Sequence, residues 1–249
     1  MIPVFLDTET TANKLNEPVE ISYIACLPDA EMEIQKFINP VEECLPVAVV
    51  CHGITQAFLD LNGSDITSEL HEATNDLLEN ENEYCIIGYN IGFDLKVIDD
   101  ACQLYMGRGY KPPNWIDVMK MAKKVIPQNK VGSYSLDAVY FYLLPHKLHY
   151  LLKSRSSHSA LIDSALTKEV FDALCAKIWG DSIPDLETII AYSLQPVIID
   201  IWPFGKHKGE PIKEVYTRDK QYINWYMYKC TFRDEWEDLL FTLKSKYNY

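Results

Sequence analysis

The sequence predicts an α/β fold, a mixed β-sheet flanked by helices, with a small C-terminal α+β extension. Three observations predict it. Short apolar or alternating runs follow one another at the start of the chain, over 2–6, 19–26 and 32–38, joined by tight connections. Beyond them, segments of helical periodicity alternate with another compact apolar run, Tyr84-Cys85-Ile86-Ile87-Gly88. Strands first, then strands alternating with helices, is the pattern of a layered α/β sheet. Helical patterning then stops near Leu194-Gln195-Pro196 and a new apolar run, Val197-Ile198-Ile199, begins, which places two domains at 1–195 and 196–249.

Each element has its own warrant. Residues 2–6 are apolar throughout and end in the acidic pair Asp7 and Glu9, as a buried central strand can. Residues 19–26 alternate in part, Pro28-Asp29-Ala30 supplies turn residues, and 32–38 returns as a third strand. Over 66–79, Leu70, Ala73 and Leu77 share one helical face. Further helices are expected over 95–105, 116–125, 135–144, 160–178 and 185–193, with Pro127 and Pro145 just past two of them as stops.

Composition sets bounds. At 249 residues, 48% hydrophobic and 24% charged, the chain can bury a full core. No run approaches the roughly 18 apolar residues of a membrane span, so no membrane partner is expected. Met1-Ile2-Pro3-Val4 has no basic segment leading into an apolar stretch, which gives no secretory signal. Seven scattered cysteines without a CxxC pair read as reduced thiols, and the expected location is cytoplasmic. The net charge of −13 argues at first against a polyanionic partner. Its distribution answers that: residues 1–100 hold 20 Asp/Glu against 3 Lys, whereas residues 101–160 hold 9 Lys/Arg against 2 Asp.

The acidic residues carry the chemistry. Asp7 and Glu9 lie two apart on a strand and project from one face. Two carboxylates so close raise each other's pKa unless a cation intervenes, and hard divalent ions prefer oxygen ligands. Asp94, in Asn90-Ile91-Gly92-Phe93-Asp94, falls in the first turn of a helix, where an acid also favours the dipole. Asn90 has two readings, helix N-cap or substrate contact. Asp163 falls beside the apolar stripe of Ile162, Leu166, Val170 and Leu174, a costly place for a carboxylate without a partner. His158 precedes it by five residues, after the polar stretch Ser154-Arg155-Ser156-Ser157, in a loop rather than in the helix.

These three motifs together resemble those of the DEDD exonucleases, in the DnaQ-like branch that carries histidine in the third motif. The resemblance implies a ribonuclease H-like fold and two Mg²⁺ ions, with Mn²⁺ able to substitute. The ions would be held by Asp7, Glu9, Asp94 and Asp163, with Asp94 acting through water. His158 would be the general base, a task suited to an imidazole that titrates near working pH. Val50-Cys51-His52-Gly53-Ile54-Thr55 is similar to the family's loop at the 3′-terminal nucleotide. By that likeness His52 and Ile54, with Thr8, Asn90 and Phe93, would contact substrate; a turn capped by Thr55 is the other reading of the segment.

A second stretch, Phe204-Gly205-Lys206-His207-Lys208-Gly209 followed by Tyr222-Ile223-Asn224-Trp225, resembles the C-terminal segment of bacterial exonuclease X proteins. Lys206 and Lys208 could offer ammonium groups to a phosphate; the aromatics read as a small core or as a base-stacking platform. The resemblance implies a 3′-to-5′ exodeoxyribonuclease releasing nucleoside 5′-monophosphates from single-stranded DNA and from duplex ends, with a role in DNA repair. Two alternatives remain at this point: an RNA-trimming exonuclease, and a non-catalytic nucleic-acid-binding protein that kept the fold.

Overall fold

The computed structural model describes residues 1–80, 83–154, 159–231, 236–247 and 249. Among the described residues, six strands form one mixed sheet in the order β4-β3-β2-β1-β5-β6. They are β1 (Ile2–Thr10), β2 (Pro18–Cys26), β3 (Glu31–Asn39), β4 (Ser64–Asp65), β5 (Tyr84–Gly88) and β6 (Trp115–Asp117). β1 pairs antiparallel with β2 and parallel with β5, so it lies at the junction of a meander and a parallel half. The sequence expectation of a mixed α/β sheet is borne out.

Alternation along β1 explains its position. Phe5 packs on one face with Ile24, Ile87 and Ile116, under α5 (Val118–Val125), α7 (Leu136–Leu143), α9 (Ala160–Trp179) and α10 (Leu186–Leu194). Val4 and Leu6 pack on the other with Ile21, Tyr23 and Ile86, under α3 (Ile66–Glu79) and α4 (Gly92–Met106). Burying one such side chain stabilises by about 1.5–3 kcal/mol, and every residue of 19–25 is likewise buried. Gly88 permits the close approach of the strand ends, because a Cβ there would lie 2.9 Å from the Leu6 carbonyl oxygen and 2.4 Å from Ile91.

Several elements depart from the sequence reading. β1 continues through the acidic pair to Thr10, with a register shift between Glu9 and Thr10. Residues 116 and 117, expected as the start of a helix, belong to β6 because Ile116 pairs with Ile87; the helix begins only at Val118, capped by the Asp117 side chain accepting from Lys120 N–H at 3.2 Å. The short helices α1 (Pro46–His52), α2 (Gln56–Asn62), α6 (Gln128–Val131) and α8 (Leu148–Ser154) carry too few turns for a periodic signal.

The chain divides into two compact units, Met1–Leu194 and Gln195–Tyr249. The second has its own core, in which Trp202, Ile212, Val215, Ile223, Tyr226, Leu239 and Leu243 are buried. Its described residues include α11 (Ile212–Arg218), α12 (Lys220–Lys229) and α13 (Glu237–Tyr247), and Ile201 forms an antiparallel bridge with Pro211.

Candidate active site

The site grows from the pleat of β1. Odd-numbered Asp7 and Glu9 share the face covered by α9, and Asp163 sits in the first turn of that helix. One carboxylate oxygen from each of Asp7, Glu9 and Asp163 lies within 4.8 Å of the others. Even-numbered Thr8 points to the opposite face, toward α4. There its backbone N–H and hydroxyl both donate to Asp94 Oδ1, at 3.0 and 2.8 Å. Asp94 is therefore fixed beside the three-carboxylate group. β1 and β5 are parallel, so the acidic end of β1 and the β5–α4 turn meet at the carboxyl ends of strands, where open α/β sheets bind ligands.

The electrostatics follow from this crowding. Burial, then repulsion from Asp94, Asp163, Glu9 and Glu20, pushes the Asp7 carboxyl well above its ordinary range. Burial also raises Asp94, against the hydrogen bonds from Thr8. Such groups stay protonated, or accept a cation, more readily than an isolated carboxylate. The donor set is all oxygen, which suits a hard divalent ion better than a thiophilic one.

Beside the carboxylates, Glu20, Gln35, Phe37, His52, Gly53, Ile54, Phe58 and Ser159 line a cavity of about 140 Å³. His52 is buried, and its Nδ1 accepts from the Ile54 N–H at 3.0 Å. That bond places the ring proton on Nε2, which donates to the Thr10 carbonyl at 3.3 Å. Burial lowers the His52 pKa, so the ring is held neutral. Ile54 is buried and Thr55 caps α2 by accepting from Phe58 N–H.

The other anticipated residues are placed as follows. Phe93 is exposed at the start of α4. Asn90 is not the N-cap of that helix; it takes a left-handed backbone at φ 63°, and its N–H donates to Asp117 Oδ1 at 3.3 Å. Asp117, buried and raised in pKa by that burial, thus braces the turn before Asp94, a role the sequence reading did not assign. His158 lies outside the described residues. In the second unit, Lys206 Nζ pairs with Asp219 Oδ2 at 2.6 Å and lies 4.6 Å from the Tyr222 ring centre, while Lys208 is exposed. Gly205, at φ 62°, leaves no room for a Cβ, which would stand 2.4 Å from the Tyr222 hydroxyl.

Comparison with known proteins decides the family. The family described as Exonuclease matches residues 4–171. This chain belongs to the exonuclease family. The family described as Exodeoxyribonuclease X-like C-terminal matches residues 203–229 of the same chain. The motif resemblance drawn from the sequence is borne out. Exodeoxyribonuclease 10 of Escherichia coli (strain K12) is 27% identical over 141 residues, covering 56% of this chain and 54% of that relative. DNA polymerase III subunit epsilon of Aquifex aeolicus (strain VF5) is 26% identical over 110 residues, 44% and 50% of the two chains. The chain spans about half the length of the curated relatives it matches.

Solved structures share the fold. An E. coli ExoI–ssDNA complex matches at a TM-score of 0.54 and 18% identity, over 72% of this chain and 41% of that one. The nuclease domain of 3′hExo, a DEDDh family member bound to rAMP, matches at 0.52 and 16% identity, over 74% and 96%.

Proposed function

We propose that this exonuclease is a divalent-metal-dependent 3′-to-5′ exodeoxyribonuclease that releases nucleoside 5′-monophosphates. One observation carries the reading: Asp7, Glu9 and Asp163 converge within 4.8 Å inside a domain of the exonuclease family. Asp7, Glu9 and Asp163 would hold Mg²⁺, or Mn²⁺ in its place, with Asp94 supporting the site from its bonds to Thr8. When bound, the cations neutralise the crowded carboxylates and the charge that develops on the phosphate.

The chain's own residues do the rest. His158 accepts the proton of the attacking water as its oxygen bonds to phosphorus. The P–O3′ bond breaks, the departing O3′ takes a proton from solvent water and becomes the 3′-hydroxyl of the shortened strand, and the nucleotide leaves with its 5′-phosphate. His52 and Ile54, in the wall of the adjoining cavity, contact the terminal nucleotide. Asn90 and Phe93 would also contact substrate, and Lys208 would offer its ammonium group to a phosphate. DNA is favoured by the name of the exodeoxyribonuclease relative and by the ssDNA complex of the ExoI neighbour. RNA trimming is the second reading, because the 3′hExo neighbour holds rAMP.

The test uses 5′-labelled DNA and RNA of one sequence, in Mg²⁺ and in EDTA. The expected result is a ladder shortening from the 3′ end with 5′-monophosphate products in Mg²⁺, faster on DNA, and no hydrolysis in EDTA. Asp7→Ala should be inactive yet folded by circular dichroism, and His158→Ala should lose about 10²–10⁴-fold in kcat. Wild-type turnover by Asp7→Ala sinks this assignment.

A further inference from the structure

Glu20 is a carboxylate that the acidic motifs do not include. In the β1–β2 register, Glu9 faces Glu20 and Asp7 faces Ser22; in the β2–β3 register, Glu20 faces Phe37 and Ser22 faces Gln35. Facing residues of paired strands project from the same side. Glu20 therefore stands next to Glu9 on the face that α9 covers. It is 1% exposed, in a strand otherwise built of buried apolar and small side chains.

Among the described residues, one oxygen of Glu20 makes all its side-chain hydrogen bonds. Oε1 accepts from Ser22 Oγ at 2.8 Å, Gln35 Nε2 at 2.8 Å, Ser159 Oγ at 2.9 Å and Leu161 N–H at 3.4 Å. These donors come from β2, β3 and the N-terminus of α9. Oε2 is buried without a hydrogen-bond partner among the described residues. Ser159 is the N-cap residue of α9, yet its hydroxyl does not cap its own helix. It donates across to the strand, and Gln35 Nε2 closes the triangle by donating to Ser159 Oγ at 3.3 Å. The orphan N–H groups of a helix start need acceptors, and here a carboxylate on a neighbouring strand is one of them.

We propose that Glu20 is a positioning residue that clasps the first turn of α9 to the sheet and so holds Asp163 against Asp7 and Glu9. The proposal rests on the exonuclease reading of that site. Asp163 lies two residues after Leu161, and its N–H closes the first turn onto the Ser159 carbonyl at 3.0 Å. Glu20 acts through hydrogen-bond acceptance by one oxygen, not through its charge.

That distinction sets the experiment. Glu20→Gln keeps one oxygen in place of Oε1 and puts an amide where Oε2 has no partner; Glu20→Ala removes the clasp. Steady-state hydrolysis of a short single-stranded DNA at saturating Mg²⁺ should show kcat of Glu20→Ala down by roughly 10–100-fold, the scale of a 1 Å misplacement, with KM nearly unchanged. Glu20→Gln should stay within about threefold of wild type, as expected when the accepting oxygen is preserved. Amide exchange at residues 161–163 should quicken in Glu20→Ala and not in Glu20→Gln. Equal loss in both variants overturns the proposal, because the charge itself would then be in use; so does an unchanged kcat in Glu20→Ala. Should Glu20→Ala fail to fold, Ser159→Ala removes one strand of the clasp, and an unchanged kcat there overturns it as well. A wild-type protein without metal-dependent hydrolysis refutes the exonuclease site instead, which keeps the two failures apart.

Discussion

Replacing Asp94 by asparagine tests the electrostatic account of the site without any substrate. Asp94 is 3% exposed, and burial pushes its carboxyl from the ordinary 3.8 up to about 7. A raised pKa means that the folded protein binds the proton more tightly than the unfolded chain does. The associated stability is complete below about pH 4 and is lost as pH rises through about 7. At 1.36 kcal/mol per pKa unit, the ionised carboxylate costs roughly 4 kcal/mol at pH 8. Asp7 and Asp94 repel one another and give up their protons in joint steps, so removing one charge recovers only part, on the order of 2 kcal/mol. Asparagine keeps Oδ1 as the acceptor for both Thr8 donors. Urea unfolding in EDTA should therefore find Asp94→Asn more stable than wild type by about 2 kcal/mol at pH 8, with the gap closing toward pH 4. Mg²⁺ should then stabilise wild type more than the variant. A variant less stable than wild type at pH 8, or an offset that ignores pH, refutes the reasoning.

Two further outcomes are expected. Thr8→Val removes the hydroxyl donor but leaves the backbone N–H on Asp94, so kcat should fall by roughly fivefold to tenfold, the equivalent of one hydrogen bond; an unchanged kcat would show that the hydroxyl does not hold Asp94 in its working position. In a salt series with duplex DNA, Lys208→Ala should flatten the slope of log affinity against log salt by about 0.9, the value of one phosphate contact. Lys206→Ala should flatten it less, because Lys206 is already paired with Asp219, and equal effects would count against that difference.

Local chemistry made much of the fold and part of the site legible. β1, β2, β3 and β5 announce themselves as apolar or alternating runs, and the i, i+2 spacing of Asp7 and Glu9 needs only a strand to put both on one face. Asp94 and Asp163 are readable as first-turn acids of two helices. Glu20 and Asp117 are not readable in this way, because their meaning comes from partners far along the chain. Glu20 meets Gln35 and Ser159, and Asp117 meets the N–H of Asn90. One signal was available: a glutamate in the middle of Val19-Glu20-Ile21-Ser22-Tyr23-Ile24 asks for buried donors if the strand is covered on both faces. Ile116 and Asp117, expected in a helix, are not readable as a strand for the opposite reason, since three residues have too little length to declare a period.

The way these acids are held bears on what they can do. Among the described residues, Asp94 and Glu20 have no ion-pair partner; Thr8 holds the first, and Ser22, Gln35, Ser159 and the Leu161 amide hold the second. A lysine or arginine in those positions would fix the carboxylates equally well but would neutralise them. Neutral donors fix the geometry without adding a positive charge beside the site. The first turn of α9, closed by the Asp163 N–H on the Ser159 carbonyl at 3.0 Å, is anchored by the same neutral network. The crowded carboxylates of the site are under electrostatic strain of their own, seen in the raised Asp7 and Asp94 carboxyls. That strain is what a divalent cation would relieve, so the crowding that destabilises the carboxylates by themselves is what would give them affinity for the ion.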